Sequence, residues 1–324
     1  KTKSARRPLW HRPHAWLALA ALIGLGTVVS TAAAEPETLV ILNGKATPVY
    51  FNDGDTFRAL AGPFAGPSNR LAGFNTLESY GTVHRWKGWT YKELYANAKM
   101  ATLNARRGVW HCHADMSKRD GYGRLLTDCP DLQMNQIRNG FAHALSVDGP
   151  AEPRLIAAQR YAIVHRRGMW AKGAPAAILT SLHSVEERPD NENNYNRLVS
   201  VVDGASIEWK HQEHYDDCQS VCHEDKEVSR EAALAIIAAM RRDVDTAPAI
   251  KGMEDPYLML VLNEFATFGR VPMIFGKRQK TVEHFLKEAE VHGDFAQPKS
   301  VEGACMIYVQ WQRRFRYKPK CLKW

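Results

Sequence analysis

The run from Tyr50 to Glu78 constrains the fold most, because turn residues cut it into pieces too short for helices. Thr47–Asn52 and Thr56–Ala61 read as strands joined by an Asp53-Gly54 turn. Gly62-Pro63 and Gly66-Pro67 mark a loop before a further strand, Arg70–Phe74. A short strand, Thr38–Leu42, precedes them. From Thr90 to Arg107 the apolar period becomes helical, with Leu94, Ala98, Ala101 and Ala105 on one face and Gly108 closing the segment. A hairpin then pairs Val109–Ala114 with Arg124–Asp128. Two helices follow, about Leu132–Ala144 and Glu152–Arg167, the second placing Leu155, Ala158 and Ala162 on one face.

Strands, a helix, a hairpin and two closing helices give an α+β chain whose first half is expected to be an OB-fold five-stranded barrel with three helices. The same region carries a chemical pattern: Asn52-Asp53-Gly54-Asp55-Thr56, then Arg70-Leu71-Ala72-Gly73-Phe74-Asn75-Thr76-Leu77-Glu78, then Arg119-Asp120-Gly121-Tyr122-Gly123-Arg124. Acids on a turn beside isolated arginines suit a cation held next to a phosphate. Hydrolysis of a phosphodiester needs an oriented water, a Lewis acid, and donors for charge developing on phosphate oxygens. A hard cation takes oxygen ligands. Asp55 offers a carboxylate, Asn75 an amide oxygen, and Thr76 a backbone carbonyl.

From Ala46 to Trp170 these motifs resemble the staphylococcal-nuclease (thermonuclease) family, which reads D-G-D-T, R-L-x-G-[IV]-D-x-P-E and D-x-Y-G-R. The resemblance implies calcium at Asp55, Asn75 and Thr76, a phosphate clamp from Arg70 and Arg124, and Glu78 as general base or water-positioning group. Three departures are visible. Asn75 stands where the family has a second metal aspartate, which is expected to weaken calcium binding by roughly 1–3 kcal/mol through loss of ligand charge. Leu77 replaces the family's proline, and Ser146 and Asp148 replace two nucleotide-contacting tyrosines; Tyr122 is kept beside Arg124. The expected activity is calcium-dependent cleavage of DNA or RNA. The alternative is a weakened domain that binds nucleic acid or protein in an extracytoplasmic assembly.

Between these motifs, Ser79–Thr90 interleaves Arg85 and Lys87 with Tyr80, Trp86 and Trp89. It reads equally as a lip for single-stranded nucleic acid, with Arg85 and Lys87 as substrate contacts beside Tyr122, or as a loop pinned by its tryptophans. His111 and His113 flank Cys112 on one strand and read as ordinary strand residues.

The start has the pattern of an export signal over residues 1–34: basic residues, an apolar run Ala15–Val29, and Ala32-Ala33-Ala34 before Glu35. Cleavage near Ala34 would give a periplasmic or secreted chain; retention would give an N-terminal membrane anchor. Net charge is +8; without the five leader cations (Lys1, Lys3, Arg6, Arg7, Arg12) it is 38 minus 35, or +3, so bulk charge argues little for a nucleic-acid partner. Six cysteines suit an oxidising compartment. Cys112 and Cys129 lie almost symmetrically about the hairpin turn and are expected to bond; the other pairings stay open.

The nuclease-like region is taken as residues 38–173, followed by a linker, 174–196, and an α+β domain, 197–324, of unassigned family. That domain holds a strand pair over Arg197–Lys210, a helix capped by Ser229 and ending at Arg242, helices Asp255–Phe268 and Lys280–His292, and a strand in Ala304–Tyr317. His211–His223 is dense in metal-type ligands, but in an exported chain Cys218 and Cys222 point rather to a disulfide-bonded polar loop. Leu260–Arg270 looks like an ATPase acidic segment, yet no G-x-x-x-x-G-K-[ST] loop exists, so it reads as a buried helix. The basic-aromatic tail Tyr308–Trp324 suits nucleic acid, a protein partner, an anionic surface, or a guarded edge strand.

Overall fold

The computed structural model describes residues 38–187, 193–310 and 319–322. The export-signal reading, and the tail from Trp311 to Lys318 with Lys323 and Trp324, lie outside the described residues. Residues 36–324 group as one compact unit.

The chain opens with β1 (Leu39–Leu42), β2 (Lys45–Asp53), β3 (Thr56–Ala59), β4 (Ser68–Leu71), β5 (Phe74–Thr76) and β6 (His84–Arg85). Then come α1 (Tyr91–Arg107), β7 (Val109–Arg119), β8 (Leu125–Asp128), α2 (Pro130–Arg138), β9 (Ala142–Ala144) and α3 (Pro153–Val164). Strands β1-β2-β3-β4-β8-β7 close a barrel. It has six strands where five were expected. The first strand, β1, which the sequence already suggests, pairs antiparallel with β2 and parallel with β7 and so joins the two ends of the sheet. Parallel pairing of β4 with β8 completes the ring. Phe51, Phe57, Leu71 and Phe74 fill its interior with Leu132 of α2 and Leu155 of α3.

Local chemistry sets the boundaries of α1. The Thr90 hydroxyl accepts from the Glu93 amide (3.3 Å) while the Glu93 carboxylate accepts from the Thr90 amide (2.8 Å), satisfying two otherwise unpaired donors. Its buried face is Leu94, Ala98, Ala101 and Ala105, as the periodicity requires. The helix expected over Leu132–Ala144 instead stops at Arg138, and Ala142–Ala144 becomes β9, paired with β5. Gly140, at φ 70°, makes that exit: its oxygen accepts from Met169 N, and a Cβ would meet the Arg167 carbonyl at 2.1 Å. The strand expected over Arg70–Phe74 is likewise split into β4 and β5 at Gly73, φ 78°.

The second half contains β10 (Ala177–Ser181), β11 (Tyr195–Ser200), β12 (Ser206–Lys210), β13 (Ser220–Glu227), α4 (Arg230–Arg242), α5 (Asp255–Phe268), α6 (Gln279–His292) and β14 (Lys299–Ile307). Ser229 caps α4 by accepting from Ala232 N at 3.1 Å. Residues 174–196, read from sequence as a linker, supply β10, which pairs with β11. β14 joins β13 on one side and β6 on the other, so the segment after Glu78 is a strand of the second half's sheet. One core holds Leu77, Trp86, Leu94 and Trp170 together with Ile236, Val261 and Phe265. At roughly 1.5–3 kcal/mol per large apolar side chain buried, this shared core fixes Leu77 to Thr90 in place.

Cys112 bonds Cys129 as expected from the hairpin. Cys218 and Cys222 do not join each other: they bond Cys321 and Cys305. Three disulfides are the chemistry of an oxidising environment. Among the described residues, no helix is long and apolar enough to cross a membrane.

Candidate functional site

The β2–β3 turn carries Asp53 and Asp55, and Gly54 between them permits their position. A Cβ at Gly54 would stand 2.5 Å from the Thr76 methyl and 2.9 Å from Ala101 Cβ, so only glycine lets the turn lie between β5 and α1. The Asp55 amide donates to Asp53 Oδ1 (3.2 Å), tightening the turn.

Asp55 is buried, and its acceptor positions are filled. Oδ1 takes the Arg70 guanidinium and the Thr56 hydroxyl (3.1 Å); Oδ2 takes the Thr76 amide (2.7 Å) and hydroxyl (3.1 Å). Those four donors match the about four lone-pair sites of a carboxylate. Burial opposes ionisation of Asp55, but Arg70 outweighs it and holds the carboxyl below its ordinary range. Asp53 goes the other way: burial first, then the charges of Asp55 and Glu78, push it well above the usual carboxylate value. Glu78 follows β5, and its charge also acts on Arg70. The charges of Asp53, Asp55 and Glu78 thus all act on the Arg70 guanidinium.

Asn75 is oriented by both neighbours. Its Oδ1 accepts from Arg70 at 2.5 Å, and its Nδ2 faces His143 Nε2 at 3.4 Å. His143 is the residue directly across the β5–β9 pair. A carbonyl only accepts, so the 3.0 Å contact to Ala144 O puts the His143 proton on Nδ1 and leaves Nε2 to receive the amide. Burial drives His143 down to about 4, and the imidazole stays neutral. An amide at position 75 thus satisfies a cation on one side and a neutral acceptor on the other, which a carboxylate would not do. His84, driven by burial to about 3, accepts from the Glu78 amide at 3.3 Å and fixes the backbone there.

The remaining sequence-derived candidates are engaged by other partners. Arg124 is bound within its own turn, donating to Asp120 Oδ2 (2.7 Å) with its guanidinium 5.4 Å from the Tyr122 ring centre. Tyr122 is 61% exposed there. Arg85 pairs with Glu302 (2.7 Å) and lies against Tyr91, and Lys87 pairs with Glu227 (3.1 Å); both cations face β13 and β14 rather than the acids. Trp86 is buried, and Trp89 Nε1 donates to Met169 O (2.9 Å), so the tryptophans pin this segment. Ser146 donates to the Asp148 carbonyl (3.2 Å). The metal-type ligands of His211–His223 include no thiolate, because Cys218 and Cys222 are disulfide-bonded. Glu302 lies by the Cys222–Cys305 bond, where the same reasoning removes a metal site.

Two site residues carried no usable signal in sequence. Asp53 stands in the acidic motif, but its coupling to Asp55 and Glu78 shows only in the fold. His143 is 68 residues from Asn75 and is brought to it by strand pairing. Compared with known proteins, the chain matches no family model and none of the curated proteins.

Proposed function

We propose that this protein is an extracytoplasmic, calcium-dependent phosphodiesterase of the thermonuclease type, acting on DNA or RNA with an OB-type barrel as scaffold. One observation supports the reading: Arg70 of β4 pairs with Asp55 of the β2–β3 turn, and the charges of Asp53 and Glu78 act on the same guanidinium. The donor set fits a hard cation. It consists of oxygens only, and the half-buried Asp53 carboxyl is raised by burial and by the charges of Asp55 and Glu78, which Arg70 only partly offsets. Asp53 and Asp55, with the Asn75 oxygen and the Thr76 carbonyl, would hold calcium, which when bound supplies Lewis acidity toward a phosphoryl oxygen.

The chain's own groups do the rest. Arg70, a planar five-donor fork among acids, binds phosphate oxygens and stabilises charge that grows on them. Two of its five N–H donors engage Asp55 and Asn75, which holds the fork among the acids. Glu78, its backbone fixed by His84, takes the proton of the attacking water. Arg124 joins the clamp by leaving Asp120. The three disulfides and the leader pattern support export.

A second reading is favoured by the same contacts. Asp55 has every acceptor position occupied, and Asn75 gives its oxygen to Arg70, as in a barrel retained for binding nucleic acid or protein. The test is cleavage of single-stranded DNA by the chain from Glu35 onward, with calcium, with EGTA, and as Glu78→Gln. Calcium-dependent cleavage lost in both controls is expected. Absence of cleavage at high calcium, with DNA binding retained, would overturn the enzyme in favour of the binding module.

A further inference from the structure

Beside the acidic pocket, on the surface formed by β2, α1 and the chain after Glu78, three tyrosines alternate with two cations. Tyr50 leaves β2 three residues before Asp53 and is 46% exposed; Tyr80 follows Glu78 by two residues and is 40% exposed. Tyr95, Lys99 and Arg106 come from α1. The Arg106 guanidinium lies 4.6 Å from the Tyr50 ring centre. Lys99 Nζ lies 4.4 Å from that of Tyr80 and 5.0 Å from that of Tyr95. Tyr50 shares β2 with Asp53 and Tyr80 lies two residues past Glu78, so both rings adjoin the acids along the chain, and Arg106 and Lys99 tie them to α1.

The cations are held in place rather than loose. Lys99 donates to the Ser79 carbonyl (2.8 Å), and Arg106 donates to the Phe51 carbonyl through Nε (3.1 Å) and a terminal nitrogen (2.7 Å). Each ring has a cation over one face, and Tyr50 and Tyr80 still show large areas to solvent. A core explanation does not apply to such rings, since burial is what they lack. Aromatic faces interleaved with fixed positive charges match a strand whose bases are unpaired and whose phosphates follow at each step. A duplex keeps its base faces stacked inside and offers nothing to those rings.

We infer that Tyr50 and Tyr80, with Lys99 and Arg106, form a track that holds single-stranded nucleic acid leading into the Asp53–Glu78 pocket. Bases stack on the two exposed tyrosines, and phosphates meet the two cations. The inference rests on the proposed nuclease reading for its direction, but its binding can be measured without cleavage.

The experiment is fluorescence anisotropy of a labelled oligothymidylate with the mature chain in EDTA, alongside calcium-dependent cleavage by the unaltered chain. Tyr50→Ala/Tyr80→Ala is expected to weaken binding at least tenfold with its melting temperature kept, because stacking contributes about 1–3 kcal/mol per base. Tyr50→Phe/Tyr80→Phe is expected to bind like the parent, and a duplex of equal length to bind more weakly than the single strand. Lys99→Gln, which spares both rings, should flatten the dependence of log affinity on log salt by about 0.7, the share of one phosphate contact on a single strand. Binding within twofold of the parent in the alanine variant, or an unchanged salt slope in Lys99→Gln, would overturn the track. Cleavage with unaltered binding in the variants would sink the track alone. Binding that the variants abolish, without cleavage by the parent, would support the track and remove the enzyme.

Discussion

Glu264 on α5 has no solvent exposure, and the charges around it predict an unusual dependence of stability on pH. Its Oε2 accepts from the Ser200 hydroxyl (2.6 Å), and Arg270 Nε lies 3.3 Å from Oε1. The same arginine pairs with Asp203, which is also fully buried and accepts from Met273 N (2.8 Å) and Ala205 N (2.9 Å). One guanidinium thus serves two buried carboxyls. Burial pushes Glu264 up to about 8, Arg270 pulls against it, and Asp203 adds to it. A carboxyl raised in the folded state keeps its proton between its unfolded value of 4.5 and about 8, while the unfolded chain has lost its own. The folded state then binds more protons, so this group's contribution to stability falls as pH rises through that window. Over about 3.5 units at about 1.36 kcal/mol each, the loss is on the order of 5 kcal/mol.

Two histidines work in the opposite sense lower down. His84 and His143 are neutral in the fold, at about 3 and about 4, so their contribution rises with pH up to the ordinary histidine value of 6.5. The raw curve therefore mixes both, and the readout is the difference between the parent and Glu264→Gln. We expect urea midpoints at pH 5 to be closer together than at pH 8, with the variant relatively more stable at the higher pH. Above pH 7 the histidines are silent and the difference isolates Glu264. A constant difference from pH 5 to 8 would show that Glu264 is ionised throughout and that Arg270 alone compensates its burial.

Further expectations concern the pocket and the barrel. Asn75→Asp keeps the bond to Arg70 but turns an oxygen toward His143 Nε2, which has no proton to give; melting temperature without calcium should fall by the equivalent of about 1–3 kcal/mol. Calcium should then raise that temperature more than it does in the parent, and an equal rise in both would refute Asn75 as a ligand position. Gly54→Ala drives a methyl into Thr76 and Ala101, at a cost of about 1–3 kcal/mol by overpacking, and should depress cleavage along with stability because it shifts Asp55. Replacing Cys112 and Cys129 by alanine opens a loop with a sequence separation of 17, for which loop entropy gives about 3 kcal/mol; unchanged denaturation midpoints under oxidising conditions would contradict that bond.

Much of the first half was legible because its causes are local. The Asp53-Gly54 turn, the Thr90 cap with Glu93, the buried stripe of α1 and the Cys112–Cys129 pair each depend on residues near one another in sequence or across one hairpin. In the same way Ser229 and Asp255-Pro256 announced α4 and α5. Helix ends and tight turns are set by who can satisfy a backbone donor a few residues away, and that is written in order along the chain.

Strand partners are not written that way. Ala142–Ala144 carries a helical composition, yet it pairs with β5 because Gly140 turns the chain out of α2 toward that strand, which stands outside the closed barrel. That pairing alone brings His143 to Asn75 and gives the amide at position 75 its physical sense. The bonding of Cys218 to Cys321 and Cys222 to Cys305, the pairing of β6 with β14, and the capture of Arg85 and Lys87 by Glu302 and Glu227 likewise span 83 to 222 residues. The sequence by itself determined the acids, the arginine and the turn that presents them. Only tertiary structure decided which charges are buried together, because register and core packing, not proximity along the chain, choose the neighbours of a side chain.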